Sequence, residues 1–297
     1  MTKVALVSTD NRLKGTMDVI DLLGINPVKN KKVILKPNFN TADPPPASTS
    51  TDVLRSLIIK LKEMEAKSIT IAERSGPINT HECFQQKGIY ELAKELNFDL
   101  VNLSEASVED FILLTPENSY WERGFLFPVI FHNAQSIVET CCLKTHQYGG
   151  HFSMSLKNST GLVPRKNLNG SSYMRELHSS KNQRKMIADI NSVYTPDLIV
   201  LDGVSAFVDK GPDNGTQVEP NIMLAGTDKI AIDAIGVAIL RLYDTTPEVS
   251  EGDIFEQEQI ARAVELGLGI SSANEIEIIT NSEEADKKTD RIYEKLL

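Results

Sequence analysis

The sequence has 297 residues, of which 41% are hydrophobic and 24% are charged, and its formal net charge is -10. A chain of this length can bury a sizeable core, in one large domain or in two lobes. No apolar run approaches the about 18 residues of a membrane helix. The opening residues, MTKVALVSTD, lack the apolar core of a signal peptide. We therefore expect a cytoplasmic protein that crosses no membrane.

The charge is distributed unevenly along the chain. Residues 244–297 contain 14 acidic and 5 basic residues, a net charge of -9, whereas residues 140–190 contain 8 basic and 2 acidic residues, a net charge of +6. A strongly acidic protein is a poor general binder of nucleic acid, because duplex affinity depends on neutralising many phosphates. One basic segment in such a protein favours a small anionic ligand, although a solvated basic face has the same composition.

The first hundred residues predict alternating strands and helices. Short apolar runs typical of strands lie at Val4–Ser8, Lys32–Lys36, Ser68–Ala72 and Phe98–Leu103. The segments between them show helical periodicity or helix boundary residues. This order favours a parallel sheet with right-handed crossovers.

The rest of the chain predicts further strands and helices. The predicted strands are Phe111–Leu114, Phe125–Ile130, Ile137–Leu143, Asp197–Leu201, Asn221–Ala225 and Glu275–Ile279. The fold class predicted is α/β, with a mostly parallel layered sheet flanked by helices. Residues 1–105 would form an N-terminal α/β lobe and residues 106–297 a second one, with a cleft between them, or the two would form one continuous domain.

The stretch from Ser136 to Gly170 contains the main candidate site. After the apolar run come Lys144-Thr145-His146, a glycine pair, and a short polar helix carrying Lys157 and Asn158. A strand, a glycine-rich loop and a helix N-terminus together form an anion site, because unpaired backbone N–H groups and the helix dipole converge there. We expect a ligand at this point. Residues 167–185 are polar and would form a mobile flap over it.

Three other strand ends carry polar residues. Lys36 and Asn38 follow the second strand and precede a proline-rich loop and a helix, which is a second anion-site candidate of the same design. Glu73 follows the third strand, where α/β folds place ligands. Asp202 follows the strand predicted at Asp197–Leu201, in a turn.

These residue types suggest roles in acid–base chemistry on an anion. Lysine binds phosphate or carboxylate as a point charge, and asparagine adds neutral donors. The anion-binding residues would be Lys36, Lys144, Lys157, Asn38 and Asn158, with Arg165 and Lys166 as further candidates. His146 would move a proton, since nearby lysines push its pKa down and favour a neutral base. Asp202 and Glu73 would orient that base or hold Mg²⁺.

Seven short motifs, taken in order and spacing, resemble the domain-of-unknown-function 362 family over roughly residues 30–240. They are KPN at 36–38, AER at 72–74, KTH at 144–146, LKN at 156–158 with Gly161, DG at 202–203, GP at 211–212 and TDKIAIDAIG at 227–236. The resemblance implies a cytoplasmic prokaryotic α/β protein whose motif residues line a shared cleft. Many members of that family carry a ferredoxin-like cysteine module.

This chain has only Cys83, Cys141 and Cys142, with no C-x-x-C pair, so no iron–sulfur cluster is expected in it. The leading hypothesis is an enzyme acting on a small phosphorylated or carboxylated metabolite. The alternative is a redox accessory protein whose acidic C-terminal third docks a separate ferredoxin-like partner. A nucleic-acid binder using residues 140–190 is a third, weaker hypothesis.

Overall fold

The computed structural model describes all 297 residues. Its centre is a ten-stranded sheet, and a separate two-stranded hairpin is formed by β5 and β6. The strands, in chain order, are β1 Thr2–Ser8, β2 Lys32–Lys36, β3 Ser68–Glu73, β4 Asp99–Asn102, β5 Phe111–Leu114, β6 Phe125–Pro128, β7 Ser136–His146, β8 His151–Phe152, β9 Leu198–Phe207, β10 Gln217–Val218, β11 Ile222–Gly226 and β12 Ile276–Thr280.

Twelve α-helices surround the sheet. They are α1 Arg12–Leu23, α2 Thr51–Glu63, α3 Thr80–Gln86, α4 Ile89–Leu96, α5 Val129–His132, α6 Ser155–Asn158, α7 Tyr173–Ser179, α8 Gln183–Ile190, α9 Lys229–Leu240, α10 Pro247–Ser250, α11 Glu258–Glu265 and α12 Glu283–Leu296. The fold is therefore α/β, as predicted.

The strands of the sheet lie in the order β12-β1-β11-β9-β7-β2-β3-β4. Neighbours are parallel except at β11, which runs antiparallel to both β1 and β9. The first strand, β1, lies between β11 and β12, so it pairs with the last two long strands of the chain.

The direction in which the chain adds strands reverses between β7 and β2. From β2 the chain adds β3 and then β4 on one side, whereas from β7 it adds β9 on the other. Alternating side chains explain the two layers, since successive residues of a strand point to opposite faces. Val33 and Leu35 of β2 join the core formed with α1 to α4. Ile34 joins the core on the opposite face, with residues of α7 and α8. The helix that follows β2 packs on one face of the sheet, and the helices that follow β7 pack on the other face. A crevice therefore remains between them at the carboxyl ends of these two strands.

Helix α9 is buried on all sides, which its composition explains. Its sequence, KIAIDAIGVAIL, is apolar except for Lys229 and Asp233, and every residue is buried between the sheet and α11 and α12. A helix that is apolar all round belongs in a core. Asp228 is its N-cap and accepts hydrogen bonds from the N–H groups of Ile230 and Ala231. Asp228 therefore stabilises the N-terminus of this helix.

Several predicted boundaries are wrong. β7 continues through His146 and β9 through Phe207, so Lys144–His146 and the Asp202-Gly203 pair are strand residues and not loops or turns. The helical segment between β3 and β4 is divided into two helices, α3 and α4, because Gly88 between them adopts a left-handed conformation with φ of 65°.

The proposed flap contains α7, whose Tyr173 and Leu177 pack into the core. Its mobility stays a prediction.

Strands from residues 1–105 and from residues 106–297 pair within the same sheet, for example β2 with β7 and β1 with β11. The number of folding units stays a prediction. No helix in the structure has both the length and the apolar composition needed to span a membrane.

Candidate functional site

The site predicted from the sequence lies at the crevice between β7 and β2. Lys36 is the last residue of β2, Glu73 is the last residue of β3, and Lys144 and His146 lie at the end of β7. In α/β folds, ligands bind outside the carboxyl ends of the strands, at the point where the strand order reverses. The topology therefore brings together side chains that are more than a hundred residues apart in sequence.

Lys36 and Glu73 form a buried ion pair at the base of the crevice. Their Nζ and Oε2 atoms are 2.8 Å apart, and both residues are 1% exposed. Glu73 also accepts hydrogen bonds from the backbone N–H groups of Phe39 (3.1 Å) and Arg74 (2.8 Å). Lys36 also donates to the carbonyl of Pro37 at 2.7 Å. A buried charge pair is stable when further hydrogen bonds satisfy both partners, as here. These two residues position the loops rather than offer free charge to a ligand.

Asparagine side chains link this pair to Lys144. The Asn158 Oδ1 accepts hydrogen bonds from Lys36 Nζ and from Asn38 Nδ2, both at 3.2 Å. The Asn38 Oδ1 in turn accepts from Lys144 Nζ at 2.8 Å. The two anion-site candidates of the sequence, around Lys36 and around Lys144, are thus parts of one hydrogen-bonded network.

His146 and Lys157 lie against each other around Gly150. A Cβ placed on Gly150 would lie 2.8 Å from both His146 Nδ1 and Lys157 Cε, so only glycine allows this approach. His146 Nδ1 is fully buried and has no hydrogen-bond partner. Burial, followed by the charges of Lys157 and Lys144, lowers the pKa of His146 well below its usual value. The direction agrees with the sequence prediction, but burial contributes more than the lysines do.

Lys157 is the one buried lysine without a partner. It is 7% exposed, and its Nζ makes neither a hydrogen bond nor an ion pair within the protein, although this atom keeps some contact with solvent. The other buried lysines, Lys36, Lys144 and Lys229, all donate hydrogen bonds. Burial, followed by the charges of Lys144 and Arg74, lowers the pKa of Lys157 to about 7. The amine is therefore neutral in a large fraction of molecules near neutral pH.

We call Arg74, Lys144, His146 and Lys157 the cleft cluster. All four are buried and basic, and no carboxylate forms an ion pair or hydrogen bond with any of their side chains, although Glu73 accepts from the Arg74 backbone N–H and its charge opposes the lowering of the Arg74 pKa by burial. Arg74 donates to the carbonyls of Ser75 and Thr160, and its Nε has no partner. Burying several like charges without a counter-charge is costly, because their repulsion is strong at low dielectric.

A cavity of about 40 Å³ lies beside Arg74 of this cluster, and Lys144, His146 and Lys157 do not line it. It is large enough for water or a small polar group, since a single water needs only about 10–15 Å³ by the same kind of measure. Its polar lining includes Lys36, Asn38, Asn40, Glu73, Arg74 and Asn158. A Cβ on Gly161 would lie 2.8 Å from Glu73 Oε1 and 3.0 Å from Lys36 Nζ, so this glycine keeps the loop against the ion pair.

The predicted contribution of a helix N-terminus is wrong. Helix α6 is only four residues long, and its first N–H groups are already bound by the carboxylate of Asp233. Asp233 accepts from Ser155 N at 2.8 Å and from Leu156 N at 3.2 Å. Asp233 therefore fixes the helix that carries Lys157 and Asn158, and side chains rather than helix N–H groups face the crevice.

A second buried polar group lies beneath α6, and we call Glu139, Lys229 and Asp233 the inner cluster. Glu139 is the cross-strand neighbour of Lys36. Burial raises the pKa of Glu139 and of Asp233 and lowers that of Lys229, while attraction between the lysine and the carboxylates opposes these shifts. Sequence reasoning missed this cluster, although a glutamate inside the apolar run SIVETCCL was a signal for it.

Asp202 is not brought to His146. Its Oδ2 lies 2.7 Å from Arg12 Nε in a partly buried ion pair, and its Oδ1 accepts from Val204 N at 3.1 Å. Burial raises its pKa, which Arg12 opposes. The predicted role of Asp202 in orienting the histidine therefore has no geometric basis, because its oxygens are engaged elsewhere.

The remaining candidates lie at the rim or elsewhere. Arg165 donates to the carbonyls of Gly76 and Ile78 and anchors the loop after β3. Lys166 lines a separate surface groove. His178 is exposed, and its Nδ1 lies 3.1 Å from Gln183 Nε2. His151 lies at the start of β8, where it pairs with His146 across the hairpin.

No group of three or more His, Cys, Asp or Glu side chains has the geometry to hold a metal ion. The Mg²⁺ hypothesis stays untested.

The fold and the crevice define an α/β protein with a cleft of buried basic side chains at the reversal point of a mostly parallel sheet. The profile of the family described as "Domain of unknown function (DUF362)" matches residues 33–238, which include every residue of both clusters. The chain belongs to this family, as the motifs indicated. No curated protein matches the chain at a significant level.

Proposed function

We propose that the protein is an enzyme that binds a small phosphorylated or carboxylated metabolite in the cleft and moves a proton on it. The observation that carries this proposal is that Lys157, which lies near Lys144, Arg74 and His146, has no hydrogen-bond or ion-pair partner within the protein. Natural proteins pair or hydrogen-bond their buried charges. A site that leaves them free has its partner in the ligand.

The roles follow from the contacts. Lys144 and Arg74 attract the anion, while Asn158, which accepts from Lys36, and Asn38, which accepts from Lys144, lie beside it. His146 is neutral at pH 7 because its pKa is lowered, so it acts as a base before it acts as an acid. Its environment lacks the carboxylate that would orient a histidine, and Tyr148 contacts the ring edge to face instead, with ring centroids 5.7 Å apart.

The test is thermal unfolding with and without inorganic phosphate, and separately with malonate as a carboxylate probe. A ligand at about 100 times its Kd adds about 2.7 kcal/mol to the unfolding free energy, which raises the Tm of a chain of this size by about 5 °C. We expect this shift in the wild type and its loss in Lys157→Met. The control is Lys287→Met, which removes the same charge from an exposed position.

Equal shifts in wild type, Lys157→Met and Lys287→Met, or no shift with either probe, would contradict the proposal. The docking of a ferredoxin-like partner by residues 244–297 stays a prediction, and no contact in the structure favours it. A visible-light spectrum and a pulldown of anaerobically purified protein would test it.

A further inference from the structure

The geometry points to Lys157 as a nucleophile that forms an imine with its substrate, so that the ligand of the cleft is a small anion carrying an aldehyde or ketone, such as a 2-oxo acid. This inference rests on the proposed anion site and names its substrate class. The four buried lysines differ in whether their amines have a partner within the protein. Lys36, Lys144 and Lys229 point their amines at protein oxygens, and only Lys157 leaves its amine free.

A free amine beside a neutral imidazole is the arrangement that imine chemistry needs. Lysine reacts with a carbonyl only when deprotonated, and burial next to other cations produces that state. Lys157 has both features, since it is buried and lies near Lys144 and Arg74. His146 approaches it around Gly150 and can carry protons between the reacting atoms.

The position of the anion follows from the remaining charges. Lys144 and Arg74 lie near Lys157, so they would bind the carboxylate of the substrate and bring its carbonyl carbon to the amine. A phosphate or carboxylate without a carbonyl would bind to the same cations but would not react.

The step balances without a further reactant. The nitrogen lone pair of Lys157 attacks the carbonyl carbon, and the carbon–oxygen double bond opens to a carbinolamine. The oxygen then leaves as water with the two amine hydrogens, and a carbon–nitrogen double bond remains. The imine nitrogen then takes up one proton from water, and the resulting cation draws electrons from the neighbouring carbon, whose proton His146 would accept.

Glyoxylate is the probe for this chemistry, because it is the smallest anion that contains both a carboxylate and an aldehyde. The wild-type protein at pH 7 is treated with glyoxylate and cyanoborohydride, which reduces an imine to a stable secondary amine, and peptide mass mapping locates the adducts. We expect Lys157 to be modified at least 10-fold faster than any exposed lysine, and inorganic phosphate to slow the reaction. The N-terminal amine also reacts near this pH and is read separately.

Lys229 is the internal control. Burial lowers its pKa to about 7 as well, but its Nζ donates to Asn191 Oδ1 at 2.7 Å and lies 3.4 Å from the Tyr194 ring centroid. A fast reaction at Lys157 and none at Lys229 shows that the open cleft, and not titration alone, directs the chemistry. Equal reaction at both lysines would overturn the inference.

Two further outcomes separate the inference from the proposed function. If phosphate raises the Tm but Lys157 reacts no faster than exposed lysines, the cleft binds anions without imine chemistry. The imine inference then fails, while the proposed anion binding stands. If Lys157 reacts but phosphate neither protects it nor raises the Tm, the anion site is absent and the substrate class fails with it.

Discussion

The inner cluster and the cleft cluster both adjoin the short helix α6. The inner cluster combines basic and acidic side chains, whereas the cleft cluster contains only basic ones. In the inner cluster, Glu139 and Asp233 surround Lys229, and Asp233 is further satisfied by two backbone N–H groups. In the cleft cluster, four basic side chains share no carboxylate. Both clusters contain a lysine whose pKa is lowered to about 7. The difference teaches that a perturbed pKa does not by itself distinguish a structural lysine from a functional one, whereas the missing partner does.

The largest effect is expected from breaking the inner cluster. Asp233→Ala leaves the buried N–H groups of Ser155 and Leu156 without an acceptor. Each unsatisfied buried donor costs about 1–3 kcal/mol, so we expect a loss of about 2–6 kcal/mol in the unfolding free energy measured by urea denaturation. Asp233→Asn keeps one acceptor and should lose less. A stability within about 0.5 kcal/mol of wild type for Asp233→Ala would show that the inner cluster is not structural.

A substitution in the cleft cluster should raise the unfolding free energy instead of lowering it. Lys157→Met removes a buried charge that has no partner, so it should stabilise the protein, on the order of 3 kcal/mol at pH 6. At pH 6 the folded and unfolded chains both carry the charge, and the full cost of burying it is present. As pH rises from about 7 toward about 10.4, the unfolded chain binds more protons than the folded one, and the cost disappears. The gain of the variant should therefore vanish by about pH 10.

Lys36→Met is the matched control for that experiment. It removes a buried lysine of the same size, but it leaves Glu73 as an unpaired buried carboxylate. We expect it to lose about 3 kcal/mol at neutral pH. Urea denaturation of both variants at several pH values measures the contrast. A loss of stability in Lys157→Met like that in Lys36→Met would mean that Lys157 has a structural role.

The variant Gly150→Ala, for which we expect a smaller effect, tests whether binding depends on the close approach of His146 to Lys157. In Gly150→Ala, the new methyl group would lie 2.8 Å from both side chains, so one of them has to move. We expect phosphate affinity to fall at least 10-fold, measured by calorimetry, with a stability loss of about 1 kcal/mol. In Gly170→Ala nothing lies within 4 Å, but the φ of +79° makes alanine unfavourable, which also costs about 1 kcal/mol. Its phosphate affinity should be unchanged, and an equal loss in both variants would contradict a specific role for Gly150.

The smallest effect on binding is expected at Asp202. Asp202→Asn weakens the ion pair with Arg12 and leaves the cleft cluster untouched. We expect phosphate affinity within about twofold of wild type and a stability loss of about 1 kcal/mol. A loss of binding in Asp202→Asn would restore the role that the sequence suggested for this residue.

Much of the fold was predictable because strands and helices leave periodic patterns. The alternation of Val33, Ile34 and Leu35 between two cores, and the apolar run of α9, follow from local sequence. The ends of β7 and β9 were not predictable, because a lysine or an aspartate normally ends an apolar strand. Here Lys144 and Asp202 remain in their strands because Asn38 and Arg12, which are distant in sequence, bind them.

The site was predictable as a list of residue types but not as an arrangement. Lysine, histidine and asparagine near strand ends indicated an anion site, and the structure brings Lys36, Asn38, Lys144 and Asn158 into one network. The sequence did not show which lysine lacks a partner. That property depends on the partners of all the others, including Glu73 for Lys36 and Asn191 for Lys229.

The position of β1 between β11 and β12 has a consequence for how the protein is made. During synthesis, β1 leaves the ribosome long before its two neighbours, which are residues 222–226 and 276–280. Its apolar residues Val4 to Val7 remain without these sheet partners until more than two hundred further residues have been made. A nascent chain with such an unpaired strand is prone to misassociate. Translation pauses or the loss of holding chaperones should therefore lower the yield of this protein more than they lower that of a protein whose first strand pairs with its second.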